Sequence, residues 1–263
     1  MARNSLKNIN RLIKAVQEEL PPEQNFIEDL KRSIEMTSVK NHVRGSNYYK
    51  PSSMGCIRNM YYTRIGAKET DVGSTYTSWG ICNSGTDTHV RVQQAVEQMK
   101  DNGIDCEYVD VEQFVKERKL KHLKIQSKQG METKLLHKTL NLSFLCDGVI
   151  RYKQHYYILE LKTESANKWF KRCGVDTSHY KQATAYSLSL ELPEVLFIYI
   201  NRDIFDMKAF LFIPTDAMKQ ELVGLIEECD SYVSKLVPPP VSEDVSKKAC
   251  DYCSYREQCR KDR

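Results

Sequence analysis

The feature that most constrains this chain is a group of three cysteines near its carboxyl end. Cys250, Cys253 and Cys259 are spaced C-x2-C-x5-C in a polar, charged tail that offers almost no hydrophobic core for them to join. A C-x2-C pair brings two sulfurs onto one ion, so the spacing favours metal ligation. Zinc and a 4Fe–4S cluster both commonly take four ligands. The best candidate for the fourth is Cys56, in a turn-rich loop beside Gly55.

Composition argues against a disulfide framework. The 263 residues include nine cysteines, and an odd number cannot pair completely. The longest apolar runs fall far short of the ~18 residues of a membrane span, and the polar start, MARNSLKNINRL, lacks the apolar core of a signal peptide. We therefore expect a cytoplasmic protein without a membrane-bound segment, in which disulfides are uncommon. The net charge of +4 is compatible with nucleic acid but does not demand it.

The order of periodic segments predicts an α/β fold, a mixed central sheet flanked by helices. Helices are expected over 5–20, 23–36, 84–101 and 178–191, and from 216 to the prolines at 238–240. Strands are expected within 104–118 and 131–146 and over 144–150, 156–162, 195–201 and 208–213. We expect an N-terminal helical segment at 1–40, a core at 41–240 and a cysteine-bearing tail at 241–263.

A predicted hairpin carries the most chemistry. Its strands, 144–150 and 156–162, are rich in Ile, Val, Tyr and Leu and are separated by five residues. Asp147 falls near the middle of the first strand, and Glu160 and Lys162 end the second on one face, because side chains alternate along a strand. The two carboxylates suit Mg²⁺ or Mn²⁺, and Lys162 could orient an attacking hydroxide. The simpler alternative is that these charges only face solvent.

Residues outside the hairpin make this weak pattern more specific. His89 opens one predicted helix, and Gln182 and Tyr186 lie four residues apart on another, hence on one face. The order His, Asp, Glu-x-Lys, Gln-x-x-x-Tyr over residues 85–190 resembles the PD-(D/E)XK nuclease superfamily, in particular its RecB-like branch. Thr163 also fits that branch, whereas Cys146 stands where the superfamily name has Pro.

The resemblance implies roles for these residues. His89, Asp147 and Glu160 would hold the divalent metal, with the Leu161 carbonyl as a further ligand. The catalytic set would be Asp147, Glu160, Lys162, Gln182 and Tyr186. Lys162 would act on the nucleophilic water, and Gln182 and Tyr186 would position the substrate phosphate or the site itself. A core role for His89, and a surface Gln beside a packed Tyr, remain open alternatives.

The cysteines strengthen the resemblance. RecB-like nucleases with an iron–sulfur cluster, such as the CRISPR adaptation-associated exonucleases and the AddB nuclease domain, carry one early cysteine and a later C-x2-C-x5-C. Cys56, Cys250, Cys253 and Cys259 match that arrangement, which implies a 4Fe–4S cluster joining the N- and C-terminal segments; zinc is the alternative. We expect a mainly structural cluster. Cys146 and Cys229, in apolar segments, are expected to be core thiols.

The resulting expectation is an Mg²⁺- or Mn²⁺-dependent deoxyribonuclease, an exonuclease rather than an endonuclease, acting on single-stranded DNA or duplex ends. The resemblance supplies this substrate, while the residues themselves suggest only phosphodiester hydrolysis. A separate helicase, recombination or CRISPR adaptation protein is an expected partner. The alternatives are a non-catalytic DNA-binding or assembly module of the same fold, and a zinc-binding regulatory protein.

Side chains outside the motifs are candidates for DNA contact. Basic residues between 116 and 138 and near the motifs would follow the phosphate backbone; those near the motifs are Arg151, Lys153, Lys168, Lys171 and Arg172. Trp169, Phe170 and Tyr180 would stack on unpaired bases. Solvated charge and ordinary aromatic packing are the alternatives, and packing is slightly favoured for the aromatic residues.

Overall fold

The computed structural model of the chain describes residues 21–42, 45–70, 75–241, 245 and 247–262. The helix expected over 5–20 lies outside these residues. Two units are distinguished by their contacts: the described parts of Met1–Val43 with Val72–Cys82, and those of Arg44–Asp71 with Asn83–Arg263. The candidate site and the four candidate cluster cysteines belong to the second unit.

The described elements begin and end with groups of three helices, and the strands lie between them with three further helices. In chain order they are α1 (Pro22–Lys40), α2 (Ile57–Arg64), α3 (Tyr76–Glu97), β1 (Cys106–Val109), α4 (Val111–Glu117), β2 (Leu123–Gln129), β3 (Glu132–His137), β4 (Leu142–Leu145), β5 (Gly148–Tyr152), β6 (His155–Glu164), α5 (Ala166–Phe170), α6 (Tyr180–Leu190), β7 (Val195–Asn201), β8 (Met207–Phe212), α7 (Asp216–Lys235), α8 (Lys247–Asp251) and α9 (Arg256–Lys261). Short 3-10 turns cover Pro51–Ser53 and Thr177–His179. No helix among the described residues is long and apolar enough to cross a membrane.

The strands form two sheets, which confirms the predicted α/β class. The larger has five strands in the order β1-β5-β6-β7-β8, and the smaller has three in the order β2-β3-β4. The pairing of β6 with β7 is parallel, whereas the other pairs in the five-stranded sheet are antiparallel. The larger sheet is therefore mixed, as expected for this fold class.

Helices cover both faces of the larger sheet. On one face, Ile158 and Phe197 pack in a core with Ala183 of α6 and Ile226 of α7. On the other, Leu159 and Leu161 belong to a second core with Val92 and Val96 of α3. Because the middle of β6 is covered on both faces, the carboxylates of Glu160 and Glu164 on it are buried.

The predicted hairpin is present, but its first strand is interrupted. β5 and β6 pair from Gly148↔Leu159 to Tyr152↔His155, and Lys153 and Gln154 make the turn. Both turn residues have positive φ, 47° and 68°, as a two-residue type I′ turn requires. The sequence predicted Asp147 near the middle of a strand, and this prediction is wrong. It lies between β4 and β5, where the chain passes from the small sheet to the large one.

Two other predicted elements differ from the structure. Helix α3 begins at Tyr76 rather than at 84, and residues 111–117, expected within a strand, are helix α4. The Asp110 side chain accepts the N–H of Gln113 at 2.9 Å and so caps α4. Val111, Phe114 and Val115 are buried on one side of this short helix. The strand prediction for these residues is wrong, because their i, i+3, i+4 spacing suits one face of a helix.

Candidate active site

Asp147 is held from several directions in the break between two strands. Its Oδ2 accepts the backbone N–H of Leu161 at 2.6 Å. Its main-chain oxygen accepts hydrogen bonds from Gln93 Nε2, at 2.7 Å, and from the Tyr108 hydroxyl. Gly148 leaves room for Tyr108, because a Cβ there would lie 2.5 Å from the Tyr108 hydroxyl oxygen. The break therefore fixes the carboxylate against β6 without a strand ladder at this position.

His89 reaches Asp147 from helix α3. Gly85, one turn earlier, lets the helix approach β6, since a Cβ there would lie 3.3 Å from Thr163 Oγ1. His89 Nδ1 lies 3.1 Å from Asp147 Oδ1. A carboxylate only accepts hydrogen bonds, so Nδ1 donates and the neutral ring keeps a lone pair on Nε2. Burial lowers the pKa of His89, but the Asp147 hydrogen bond and charge outweigh it, so the pKa is raised.

Glu160 and Lys162 lie on the same face of β6 and contact each other. Lys162 Nζ donates to Glu160 Oε1 at 2.6 Å, and Leu161 between them points into the opposite core. Glu160 is buried, with 3% of its surface exposed. Burial and the charge of Asp147 raise the pKa of Glu160, although Lys162 opposes this. Without a cation, the pair of carboxylates therefore favours retention of a proton.

Gln182 and Tyr186 complete the arrangement from helix α6. Gln182 accepts from Lys162 Nζ at 3.0 Å and donates to Glu160 Oε1 and to the Tyr186 hydroxyl, each at 2.8 Å. The Tyr186 hydroxyl donates to the Leu145 carbonyl at 3.0 Å. Gln182 thus contacts both charged residues, whereas buried Tyr186 anchors Gln182 to the end of β4.

The structure adds an acidic residue that was not among the sequence candidates. Ligand atoms of His89, Glu132 and Asp147 all lie within 4.8 Å of one another, the one such group of three His, Cys, Asp or Glu residues in the described part of the chain. Gln93 joins two of them, since its Nε2 also donates to Glu132 Oε1 at 3.2 Å. Burial and the charge of Asp147 raise the pKa of Glu132. A glutamate after a tight turn carries no sequence signal, so it could not have been identified from spacing.

The donor set of this site fits a divalent cation. It offers carboxylate oxygens from Asp147, Glu132 and Glu160 and one imidazole from His89, a mixture that suits Mg²⁺ or Mn²⁺. His89, Asp147 and Glu132 lie close enough together to share one ion. Glu160 is near enough for the Asp147 charge to raise its pKa, but it is not in that group of three.

Further candidate ligands lie near the start of helix α2, where Cys56 is close to Cys253 and Cys259. Cys56 is the N-cap residue of α2. Burial raises the pKa of its thiol, which is also raised by the nearby thiols of Cys253 and Cys259. Asn59 Nδ2 donates to Cys253 Sγ at 3.4 Å. Cys250 accepts the Cys253 N–H through its carbonyl at 3.2 Å, which closes the C-x2-C turn.

Contacts other than the thiols join the tail to α2. Arg58 Nη2 donates to the Asp262 carbonyl at 3.0 Å, and the Tyr62 hydroxyl donates to Asp262 Oδ2 at 2.8 Å. The ring centroids of Tyr62 and Tyr255 are 5.7 Å apart. The tail is therefore packed on the segment that follows Cys56. As expected, Cys146 and Cys229 are buried free thiols.

The residues expected to contact DNA fall into two groups. Lys116, Lys128 and Arg151 pair with nearby carboxylates at 2.7–2.8 Å. Lys168, Lys171 and Arg172 line a cavity of about 280 Å³, and Lys168 and Arg172 also pair there with Glu164 and Asp176 at 2.7–3.1 Å. Among the aromatic residues, Trp169 is buried and donates to the Tyr199 carbonyl at 2.9 Å, and Tyr180 stacks on Phe212 with centroids 4.6 Å apart. Phe170 is 64% exposed. Packing thus accounts for Trp169 and Tyr180, and Phe170 stays available to a ligand.

Comparison of the sequence with protein-family models and with curated proteins finds no match. Among solved structures, the chain is similar to SSO0001 with 14% identity and a TM-score of 0.48, over 91% of this chain and 98% of that one. It is also similar to an alkaline exonuclease (LHK-Exo) from Laribacter hongkongensis, with 10% identity and a TM-score of 0.44, over 78% of this chain and 95% of that one.

Proposed function

We propose that the protein is a divalent-metal-dependent deoxyribonuclease, an exonuclease rather than an endonuclease. The observation that carries the proposal is the pair of bonds on Asp147, whose Oδ1 contacts His89 and whose Oδ2 contacts the N–H of Leu161. These bonds hold a carboxylate and an imidazole beside the strand that presents Glu160 and Lys162. Surface charges at a strand end would not require such an enclosed arrangement.

The residues suit phosphodiester hydrolysis. His89, Asp147 and Glu132 would hold the ion, with Glu160 as a further acidic ligand. A bound Mg²⁺ or Mn²⁺ would lower the pKa of a water molecule and stabilise negative charge on a phosphoryl oxygen. Lys162, held by Glu160 and Gln182, would orient the attacking hydroxide and offset the developing charge. Gln182 orients the Lys162 ammonium group by accepting its hydrogen bond, and Tyr186 holds Gln182 in place through a second hydrogen bond.

DNA as the substrate is what the resemblance to the RecB-like nucleases implies, and the cavity lined by basic residues is compatible with it. Lys162 and Glu164 are two residues apart and hence on one face of β6. Arg172 donates to Glu164 at 2.7 Å and, with Lys168 and Lys171, lines the cavity. A strand rises about 3.3 Å per residue, so Glu164 lies roughly 7 Å along the strand from Lys162. A nucleic-acid backbone beside Glu164 would meet Lys171 and would compete with Glu164 and Asp176 for Lys168 and Arg172.

Digestion of labelled linear and circular DNA with Mg²⁺ or Mn²⁺ tests this function. Linear single strands or duplex ends should be degraded, covalently closed circles should persist, and Lys162→Ala should abolish cutting. Lys219→Ala is the matched control, because Lys219 lies on α7, outside the candidate DNA contacts, and pairs with Asp216 at 3.7 Å. Cutting of circles would indicate an endonuclease. DNA binding by the wild type without any cutting would instead favour the non-catalytic module.

We also propose that Cys56, Cys250, Cys253 and Cys259 hold a structural 4Fe–4S cluster. The packing of the tail on α2 supports a common centre for these thiols. The spacing of one early cysteine and a later C-x2-C-x5-C favours a cluster, as the resemblance implies, and a tetrahedral zinc site is the alternative.

Anaerobic purification with iron, sulfide and zinc analysis tests the cluster. The wild type should be brown and bleach on oxidation, and Cys253→Ser should lose iron and melt at a lower temperature. Cys173→Ser is the control, since Cys173 is an exposed thiol. A colourless protein containing stoichiometric zinc would support the zinc alternative. An iron-free Cys253→Ser protein with unchanged folding and cutting would contradict a structural role.

A further inference from the structure

His179 lies beside the candidate site, although no sequence motif includes it. Its ring stacks on Phe197 and Tyr199 of β7, with centroids 6.0 and 5.9 Å away and interplanar angles of 13° and 23°. The parallel register places Phe197 opposite Glu160 and Tyr199 opposite Lys162. His179 therefore covers the same face of the sheet that presents the two charged residues.

The hydrogen bonds of Tyr199 decide where the neutral imidazole carries its proton. The backbone N–H of Asp176 donates to the Tyr199 hydroxyl at 3.0 Å. The same hydroxyl lies 2.9 Å from His179 Nδ1. Tyr199 is fully buried, and Nδ1 is the one acceptor that its hydroxyl proton meets among the described residues, so Tyr199 donates to Nδ1. Neutral His179 then has its own hydrogen on Nε2.

This Nε2–H group has no hydrogen-bond partner among the described residues, and it is not one of their buried unsatisfied polar atoms. It is thus open to a group from outside the protein. Burial, followed by the charge of Lys162, lowers the pKa of His179 to about 4. The ring therefore offers a neutral donor near neutral pH, unlike the lysines nearby.

We propose that His179 is a further substrate-binding residue, whose Nε2–H donates to a non-bridging oxygen of the phosphate next to the one that is cut. The inference rests on the proposed nuclease function and identifies the ligand class as a nucleic-acid phosphate. The stacking fixes the plane of the ring, and Tyr199 fixes its tautomer. Both conditions favour a donor of defined direction over a flexible cation.

Binding of short single-stranded oligonucleotides in Ca²⁺, with one methylphosphonate linkage moved along the strand, tests the contact without cutting. His179→Phe keeps a ring on Phe197 and Tyr199 but has no N–H. It should bind unmodified DNA about 10-fold more weakly, with KM raised and kcat little changed. Wild type should be sensitive to one methylphosphonate position at which the variant is insensitive. His155→Phe, at the exposed first residue of β6, is the control.

Long-range ¹⁵N–¹H spectra of the wild type provide an independent readout, which should show the Nε2–H tautomer of His179. If His179→Phe does not fold, Tyr199→Phe replaces it, and a mixture of tautomers with weaker DNA binding is expected. An Nδ1–H tautomer, or identical methylphosphonate profiles for wild type and variant, overturns the proposal. Wild type that binds DNA with the expected profile but does not cut overturns only the nuclease function. Wild type that does not bind DNA overturns both.

Discussion

Asp147 accepts the backbone N–H of Leu161 through Oδ2 at 2.6 Å, which ties the break between β4 and β5 to the middle of the Glu160–Lys162 segment. One carboxylate therefore positions the main chain of β6 and, through Oδ1, the ring of His89. Substitution can separate two roles of Asp147. The contact with the Leu161 N–H needs only a hydrogen-bond acceptor, whereas the attraction of a cation needs a negative charge.

Asp147→Asn should keep the fold and lose the activity. The amide oxygen can still accept the Leu161 N–H, but the site loses the charge that attracts a cation. We expect a fall in cutting rate on the order of 10²–10³-fold with a small change in unfolding free energy. Asp147→Ala should in addition cost about 1–3 kcal/mol, because a buried N–H loses its partner. Urea unfolding beside a cleavage assay distinguishes the two; equal stability of both variants would contradict the tether.

Glu160→Gln should stabilise the protein at high pH in EDTA. The pKa of Glu160 is raised in the folded state, so its ionised form is disfavoured relative to the unfolded chain. The associated stability is present below the unfolded pKa and is lost as pH rises through the folded pKa. A neutral Gln avoids this loss, so the variant should gain at least ~1 kcal/mol over wild type at pH 9 and little at pH 5.

The gain should reverse when Mn²⁺ is added, since only the wild type has the full set of carboxylates for the ion. Unfolding curves at both pH values, with and without Mn²⁺, check the prediction. A variant that is less stable than wild type at pH 9 in EDTA would show that the Lys162 contact outweighs the cost of burial.

Glu132→Gln should weaken metal binding although no motif contains Glu132. It belongs to the group of ligand atoms within 4.8 Å that includes His89 and Asp147. We expect Mn²⁺ affinity to fall about 10- to 100-fold, measured by calorimetry on protein treated with EDTA. Glu112→Gln is the control, because Glu112 is a surface residue paired only with Lys116. Unchanged affinity would place the ion between His89, Asp147 and Glu160 alone.

His137→Asn should make the protein less sensitive to acid. Burial, and then the charge of His122, lowers the pKa of His137 to about 4 from an ordinary 6.5. The unfolded chain therefore binds a proton that the folded chain does not. The stability from neutral His137 is complete above pH 6.5 and is lost as pH falls from 6.5 towards 4.

Asn can accept from the Leu140 N–H, as His137 Nδ1 does at 3.3 Å. Between pH 7 and pH 5 the variant should lose about 1 kcal/mol less unfolding free energy than wild type. Denaturant titrations at the two pH values measure this, with His155→Asn as the control. The same loss in both proteins would mean that the protonation of other groups dominates acid unfolding.

The sequence was most informative where local rules operate. The period of two on β6 placed Glu160 and Lys162 on one face, and the spacing of four on α6 did the same for Gln182 and Tyr186; their hydrogen bonds in the structure agree with both expectations. The strand at 195–201 and the helix that starts at 216 follow from an apolar run and a Thr215 cap, whose side chain accepts from the Met218 N–H at 3.2 Å.

Prediction failed where tertiary contacts overrode the local pattern. The apolar run around Asp147 indicated a continuous strand. In the structure, however, hydrogen bonds from Gln93, Tyr108 and Leu161 satisfy Asp147 and replace the ladder. Two of these donors are more than 35 residues away in sequence, so no window around Asp147 contains them.

By itself, then, the sequence determined the α/β class, the pairing of β5 with β6 and the shared faces of Glu160 with Lys162 and of Gln182 with Tyr186, because backbone periodicity and turn chemistry act over a few residues. Only the tertiary structure decided that Glu132 joins His89 and Asp147 and that Tyr199 sets the tautomer of His179. Both depend on side chains brought together from different elements, and nothing in the spacing of residues along the chain encodes such distances.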